Sequence, residues 1–140
     1  MRLSSKSRPR VLIVDDCSDN RRLVAACLDE KQLIVDEAAD GVSALWLAWE
    51  KRPDLVILDL DLPYLDGLGV VRALRASGVD AEQTRVIALT ARADTETAGL
   101  CAEAGTNDYV TKPIRDLAVL RSKVQHQLAD RLRYPQNEQP

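Results

Sequence analysis

The chain has 140 residues, of which 46% are hydrophobic and 29% charged, and its formal net charge is −3. This size and balance are ordinary for one globular domain that needs no disulfide or structural metal for its core. The mild negative charge gives no basic surface for nucleic acid. The sequence shows neither a signal peptide nor an apolar stretch of the roughly 18 residues that span a membrane. We therefore expect a cytoplasmic protein without direct contacts to nucleic acid or membrane.

Strand-like and helix-like segments alternate along the chain. Short apolar runs bounded by turn residues predict buried strands at residues 10–14, 33–38, 54–59, 85–90 and 107–111. Helical periodicity follows each run, at residues 18–30, 41–51, 67–76, 94–104 and 115–132. We expect a flexible arm over residues 1–9, one domain over 10–132 and a polar tail over 133–140.

This alternation predicts an α/β fold with a doubly wound parallel sheet. Five strands favour the flavodoxin-like (βα)5 arrangement with strand order 2-1-3-4-5. In that order the ligand crevice opens between the carboxyl ends of the first and third strands.

Individual helices carry further signals. Ser18 is predicted to cap the first helix, and Gly105 to follow the last residue of the fourth. The fourth helix has a weak apolar stripe and an internal Gly99, so it is expected to be the least stable. Trp46 and Trp49 lie three apart on the second helix, where core packing is favoured over a partner site.

Polar residues with useful chemistry follow four of the five apolar runs. Asp15 and Asp16 end the first strand, Asp59 ends the third, and Thr90 and Lys112 come after the fourth and fifth. The carboxyl ends of parallel strands meet at one edge of a sheet, so these groups should share one crevice. Three carboxylates favour a hard divalent cation such as Mg²⁺, while an ammonium and a hydroxyl would stabilise a phosphoryl group. A carboxylate among them can act as the nucleophile that forms an acyl phosphate.

The motifs together resemble the receiver domain of two-component response regulators. The resemblance rests on VLIVDD at 11–16, LDLDLP at 58–63, DG at 66–67, LTA at 89–91 and DYVTKP at 108–113. It covers about residues 9–130 and follows the family's order and spacing. It implies a signalling protein rather than an enzyme, with self-phosphorylation and autodephosphorylation as its only chemistry.

The resemblance implies Asp59 as the phosphoacceptor. Asp15, Asp16, Asp59 and the backbone carbonyl of Asp61 would hold Mg²⁺, for which Mn²⁺ can substitute. Asp61 and Arg92 occupy the variable positions that flank the attacking water, so Asp61→Asn is expected to change the dephosphorylation rate.

Three more residues receive roles from the same resemblance. Thr90 and Lys112 would bind the phosphoryl group, and Tyr109 would turn inward when Thr90 moves, which makes Thr90 and Tyr109 a switch pair. The peptide bond between Lys112 and Pro113 is expected to be cis.

The implied partners are proteins. A histidine kinase or a histidine phosphotransfer protein would donate the phosphoryl group. A downstream protein would bind the face formed by the fourth helix, fifth strand and fifth helix. The sequence leaves open whether that face also forms a homodimer, which kinase and output pathway are involved, and whether the chain is a stand-alone regulator or part of a larger protein.

Two alternatives stay open at this point. A degenerate receiver would act only as a protein-interaction module. A haloacid dehalogenase-like phosphatase would use Asp59 and Asp61 as its D-x-D motif, although in that class the motif follows the first strand and the acidic pair comes last.

Overall fold

The computed structural model describes residues 8–133, in which strands and helices alternate. The strands are β1 (Arg10–Val14), β2 (Ile34–Ala38), β3 (Leu55–Asp59), β4 (Arg85–Thr90) and β5 (Asp108–Thr111). The helices are α1 (Ser18–Ala25), α2 (Gly41–Lys51), α3 (Gly67–Ala76), α4 (Thr95–Ala104) and α5 (Leu117–Arg133). Most of the predicted arm and tail falls outside the described residues. Among the helices described, none combines the length and the hydropathy that crossing a membrane requires.

The five strands form one parallel sheet in the order β2-β1-β3-β4-β5, which confirms the predicted topology. The order reverses between β1 and β3, so the loops after these two strands leave toward opposite faces of the sheet. The crevice between them lies at the carboxyl edge. The fold thereby brings Asp15 and Asp59 together from positions 44 residues apart.

The core has two layers because alternate strand residues point to opposite faces of the sheet. One layer joins the sheet to α2 and α3, through Leu12, Val14, Val56, Leu58, Ala44, Leu45, Val70, Val71 and Leu74. The other joins it to α1 and α5, through Val11, Ile13, Leu55, Ile57, Val24, Leu120, Val124 and Leu128. Helices on both faces explain why the strands read as continuous apolar runs.

Three helices begin at an aspartate N-cap. The carboxylates of Asp40, Asp66 and Asp94 accept hydrogen bonds from the backbone N–H three residues on, at 2.8, 2.8 and 2.7 Å. These bonds hold the pKa of Asp40 and of Asp94 below the usual value. A lowered folded-state pKa means that the Asp40 and Asp94 caps stabilise the fold at neutral pH and lose this effect as the pH falls through that pKa.

The first helix departs from the sequence-based prediction at both ends. Cys17 is its N-cap and makes no side-chain capping bond, so the prediction of Ser18 as the cap is wrong. The helix ends at Ala25 rather than near residue 30. A turn takes over there, in which the Asp29 carboxylate accepts a bond from the Lys31 backbone N–H at 3.1 Å and competes with helix continuation. At α4, by contrast, Gly105 ends the helix with φ 108°, as predicted.

The two tryptophans of α2 lie outside the core, contrary to prediction. Trp46 is 65% and Trp49 39% exposed, and their rings meet edge to face with centroids 6.2 Å apart. The Trp49 indole N–H donates to Ser77 Oγ at 3.0 Å. The small Ala44 and Ala48 take the inward positions, which let α2 pack closely on the sheet and leave both indoles on the solvent side.

Arg75, near the end of α3, ties the loops at the amino edge of β4 and β5 together. Its guanidinium donates to the carbonyl oxygen of Gly105 at 3.1 and 2.8 Å, of Asp80 at 2.9 Å and of Thr84 at 2.8 Å. Burial lowers the pKa of Arg75, against the raising effect of the Asp80 charge. One side chain therefore satisfies carbonyls from the α3–β4 and α4–β5 loops.

We expect Arg75→Met to lower the free energy of unfolding by about 2–4 kcal/mol, because several carbonyls lose their donor at once. Denaturant unfolding measures the change. Arg72→Met is the matched control, since Arg72 is an exposed residue of the same helix, and its effect should stay within about 0.5 kcal/mol. Equal stabilities of the two variants would contradict the role given to Arg75.

Candidate functional site

The centre of the crevice is an ion pair between Asp59 and Lys112. Asp59 is the last residue of β3 and is 2% exposed. Its Oδ1 accepts hydrogen bonds from Lys112 Nζ at 2.9 Å and from the Asp61 backbone N–H at 3.0 Å. Lys112 reaches it from the end of β5, across the top of β4. The sheet thus places an ammonium directly on the carboxylate that the sequence predicts as nucleophile.

Asp15 and Asp16 complete an acidic cluster with Asp59. One carboxylate oxygen from each lies within 4.8 Å of the others. Asp15 is 1% exposed, and its Oδ1 accepts from the Cys17 backbone N–H at 2.9 Å. Its Oδ2 is buried without a hydrogen-bond partner among the described residues. Such an oxygen is costly unless a cation binds it.

The electrostatics of the cluster favour bound cations. Burial raises the pKa of Asp15, and the nearby charge of Asp59 raises it further, against the lowering effect of its hydrogen bond from Cys17. Burial acts to lower the pKa of Lys112, but the hydrogen bond and charge of Asp59, with the charge of Asp15, outweigh it and raise that pKa. Lys112 stays protonated and offsets one of three negative charges.

The residues present fit Mg²⁺. The set consists of carboxylate oxygens, which Mg²⁺ prefers, and the unpaired Asp15 Oδ2 is available to a ligand. Asp16 is exposed, so the cluster opens to solvent on one side. An ion that keeps several of its waters would have room for them on that side.

Thr90 and Tyr109 lie on the neighbouring strands β4 and β5, where Tyr109 pairs with Ala88, two residues before Thr90. Thr90 ends β4 and is 3% exposed, and its Oγ1 accepts from the Arg92 backbone N–H at 3.0 Å. Tyr109 is half-buried against a small apolar cluster that includes Leu60 and Cys101. The hydroxyl of Thr90 is therefore held by its own loop, and Tyr109 packs below it toward α4.

The remaining predicted residues lie at the rim of the crevice. The side chain of Asp61 is exposed, while its backbone N–H is bonded to Asp59. Arg92 is exposed and pairs with Asp94 at 3.1 Å. The peptide bond between Lys112 and Pro113 is cis, in agreement with the expectation.

The sequence reasoning missed two contributors to the site. The Asn20 side-chain amide lies 3.5 Å from Asp15 Oδ1, one helical turn into α1, where an Asn carries no signal of its own. Gly67 packs closely against the end of β3. A Cβ built at Gly67 would lie 2.6 Å from Leu60 Cα and 2.7 Å from the Asp59 carbonyl oxygen. The Asp-Gly pair at 66–67 was noted as a motif, but only the fold shows that the glycine is required by this close approach.

We expect Gly67→Ala to destabilise the protein by about 1–3 kcal/mol, because the new methyl group would overlap backbone atoms of β3. Gly99→Ala is the control, since a Cβ at Gly99 meets nothing within 4 Å. In the middle of α4 it should stabilise by up to about 1 kcal/mol. Thermal unfolding distinguishes the two, and a neutral Gly67→Ala would show that the α3 start does not press on Asp59.

The family model of the response regulator receiver domain matches residues 11–125. The chain is 46% identical over 109 residues to the transcriptional regulatory protein PrrA of Mycobacterium leprae, covering 76% of this chain and 45% of that protein. It is 39% identical over 109 residues to the DNA-binding response regulator MtrA of Mycobacterium tuberculosis, covering 77% of this chain and 46% of that one. The chain thus spans less than half the length of these curated relatives.

A solved structure gives the same assignment at the level of the fold. The signal receiver domain of a putative LuxO repressor protein from Vibrio parahaemolyticus superposes with a TM-score of 0.82 at 27% identity. The superposition covers 90% of this chain and 94% of that one. The match therefore extends over most of both chains.

Proposed function

This chain belongs to the response regulator receiver domain family, and we propose that it accepts a phosphoryl group on Asp59 in a two-component or phosphorelay system. The observation that carries this proposal is the Asp59–Lys112 ion pair beside the unpaired Asp15 Oδ2. A buried carboxylate, a fixed ammonium and an open oxygen ligand set are what phosphoryl transfer to an aspartate requires.

The proposed reaction moves a phosphoryl group from a phosphohistidine to Asp59. A carboxylate oxygen of Asp59 attacks phosphorus, and the bond from phosphorus to the imidazole nitrogen breaks. The imidazole leaves with the electron pair and takes a proton from solvent. Lys112, already 2.9 Å from Asp59 Oδ1, then donates to a phosphoryl oxygen and offsets its charge.

Asp15, Asp16 and Asp59, with the backbone carbonyl of Asp61, would hold Mg²⁺ (or Mn²⁺). When bound, the ion offsets charge on the phosphoryl oxygens and on the carboxylates. Asp15 is held for this task by its bond from the Cys17 N–H, which fixes Oδ1 and leaves Oδ2 for a ligand. Removing a ligand therefore affects both metal affinity and transfer rate.

Signal output is proposed to run through Thr90 and Tyr109. The Thr90 hydroxyl, which accepts from the Arg92 N–H, would donate its own hydrogen to a phosphoryl oxygen, and the β4–α4 loop would follow. Tyr109 lies against Cys101 of α4, so a shift of that helix changes the space for its ring. Such coupling is a population shift, driven by contacts that the acyl phosphate makes better in one state. Asp61 and Arg92, exposed at the rim, are proposed to tune the lifetime of the acyl phosphate.

The proposed partners are a histidine kinase or histidine phosphotransfer protein as donor, and a downstream protein at the α4–β5–α5 face. Val119 is 46% exposed on that face, and Lys123 pairs with Asp108 across it at 3.0 Å. The relatives PrrA and MtrA are named as transcriptional and DNA-binding regulators. We therefore propose that the receiver domain itself makes no direct contact with nucleic acid. Measurement of the oligomeric state would test homodimerisation through the α4–β5–α5 face.

The test is covalent labelling by a small phosphodonor such as acetyl phosphate. We expect one phosphoryl group per chain in the presence of Mg²⁺. Absence of labelling would favour the interaction-only alternative. The phosphatase alternative requires turnover of a generic phosphomonoester, which family membership argues against and a receiver would not catalyse.

A further inference from the structure

The loop between β3 and α3, residues 60–66, closes on the acceptor residue at both ends. At its start the Asp61 backbone N–H donates to Asp59 Oδ1 at 3.0 Å. At its end Gly67 lies against Asp59, with a built Cβ only 2.7 Å from the Asp59 carbonyl oxygen. Both ends of the loop are therefore anchored at Asp59, so the loop borders the crevice.

The leucines of this loop pack inward, whereas the side chain of Tyr64 is fully exposed. Leu62 is 6% exposed and packs in the core with α2 and α3. Leu65 packs against the same core, and its carbonyl oxygen lies 2.6 Å from a Cβ built on Gly41. Tyr64 is 102% exposed. The loop thus presents a fully exposed aromatic ring five residues from Asp59.

The backbone of Tyr64 is unfavourable for a tyrosine. Its φ is 67°, a left-handed conformation that glycine and asparagine adopt far more readily than other residues. Pro63 precedes it, and the chain bends at residues 63–65. A fully exposed ring gains no packing energy within its own chain. The strained backbone at Tyr64 is therefore not offset by packing of its side chain.

We propose that Tyr64 is a docking contact for the protein that donates the phosphoryl group, an inference that rests on the proposed function of Asp59. Asp59 is 2% exposed, so a donor histidine reaches it only if the donor surface covers the rim of the crevice. Tyrosine is among the residues that contribute most at protein interfaces, because it buries a large rigid area at small entropic cost.

The same occupant would also meet a second surface beside the acidic cluster. A cleft of about 380 Å³ lies there, lined by Asp15, Leu23, Lys112 and Ile114 among others. Leu23 is 41% exposed on it. A donor that places its histidine over Asp59 would meet this apolar cleft on one side and the Tyr64 ring on the other. Tyr64 then contributes to donor affinity and selectivity without touching the reacting atoms.

The experiment compares two donors on Tyr64→Asn, a variant that keeps a residue suited to φ 67°. One donor is acetyl phosphate; the other is the autophosphorylated histidine kinase that labels wild type fastest in a purified panel. We expect the rate with the kinase to fall at least tenfold relative to the rate with acetyl phosphate, through a higher KM rather than a lower kcat. Tyr64→Phe should restore most of the difference, and the melting temperature of Tyr64→Asn should equal or exceed that of wild type.

Trp46→Ala is the matched control, because Trp46 is another exposed aromatic residue, placed on α2. Its ratio of the two rates should equal that of wild type. An unchanged ratio in Tyr64→Asn would overturn the proposal. If the oligomeric state changed at the same time, Tyr64 would be assigned to self-association instead. Failure of the proposed function would show separately, as a wild-type chain that acetyl phosphate does not label.

Discussion

Asp59→Asn is expected to abolish covalent labelling by acetyl phosphate, with a loss of at least about a hundredfold, because a carboxamide cannot form an acyl phosphate. Asp59 is buried at the end of β3 and bonded to Lys112, whereas the rival carboxylate Asp61 has an exposed side chain. Asparagine keeps the size of the side chain and an oxygen for the Lys112 and Asp61 hydrogen bonds. The variant should therefore fold.

Phosphate-affinity electrophoresis and intact mass both measure this loss. Asp29→Asn is the matched control, since Asp29 is an exposed aspartate in the α1–β2 connection, and it should label as wild type does. Far-ultraviolet circular dichroism verifies that both variants are folded. Persistent labelling of folded Asp59→Asn at the wild-type rate would remove Asp59 from the role of acceptor.

Asp15→Asn is expected to have two effects of opposite sign. Without Mg²⁺ it should raise the melting temperature, because burial and the charge of Asp59 disfavour an ionised Asp15. The sign follows from linkage: a carboxyl whose pKa is raised by folding costs stability once the pH has risen through that pKa. With Mg²⁺ the variant should gain little, whereas wild type should gain about 2.7 kcal/mol at a hundredfold excess over the dissociation constant.

Thermal unfolding with and without Mg²⁺, and labelling before and after chelation, test both effects. Chelation should lower wild-type labelling at least about tenfold, and Asp15→Asn should label slowly at any Mg²⁺ concentration. Asp36→Asn serves as control. Asp36 lies in β2, forms a salt bridge with Arg10 of β1, and is outside the acidic cluster. An Asp15→Asn protein that Mg²⁺ stabilises as well as wild type would contradict the ligand role of Asp15.

The parallel sheet and the crevice were predictable because one local rule produces both. The apolar runs that lead to Asp15, Asp59 and Thr90 are buried on both faces, as central strands of a sheet are. Because the strands are parallel, their carboxyl ends lie at the same edge of the sheet. The predicted bounds of β1 and β4 equal the observed ones. The predicted ends of α2 at residue 51 and of α4 at residue 104 also equal the observed ones, and Gly105 follows α4 as predicted.

Packing between elements explains what the sequence did not reveal. The second helix is apolar on both sides, so periodicity alone cannot decide whether Ala44 and Ala48 or the two indoles face the sheet. The short distance between α2 and the sheet selects the alanines. The end of α1 at Ala25 is followed by tight turns, in which the backbone N–H groups of Cys27 and Leu28 bond to carbonyls three residues back, and no local sequence signal marks that end.

The finest features of the site lie beyond any local pattern. The unpaired oxygen of Asp15 follows from its neighbours across the sheet, and the need for glycine at position 67 follows from contact with β3. The left-handed backbone of Tyr64 has no sequence signal, because tyrosine seldom adopts it. These three features are also the ones on which the proposed metal binding, acceptor geometry and partner docking depend.

Chemical mapping of the modified residue is the most direct test of the central claim. Wild-type protein is treated with acetyl phosphate and Mg²⁺, then with borohydride, which reduces an aspartyl phosphate to homoserine, and its peptides are analysed by mass spectrometry. The account predicts homoserine at position 59 and at no other aspartate. Reduction at another aspartate, or a stable phosphoryl group on His126 with Asp59 unchanged, would contradict it.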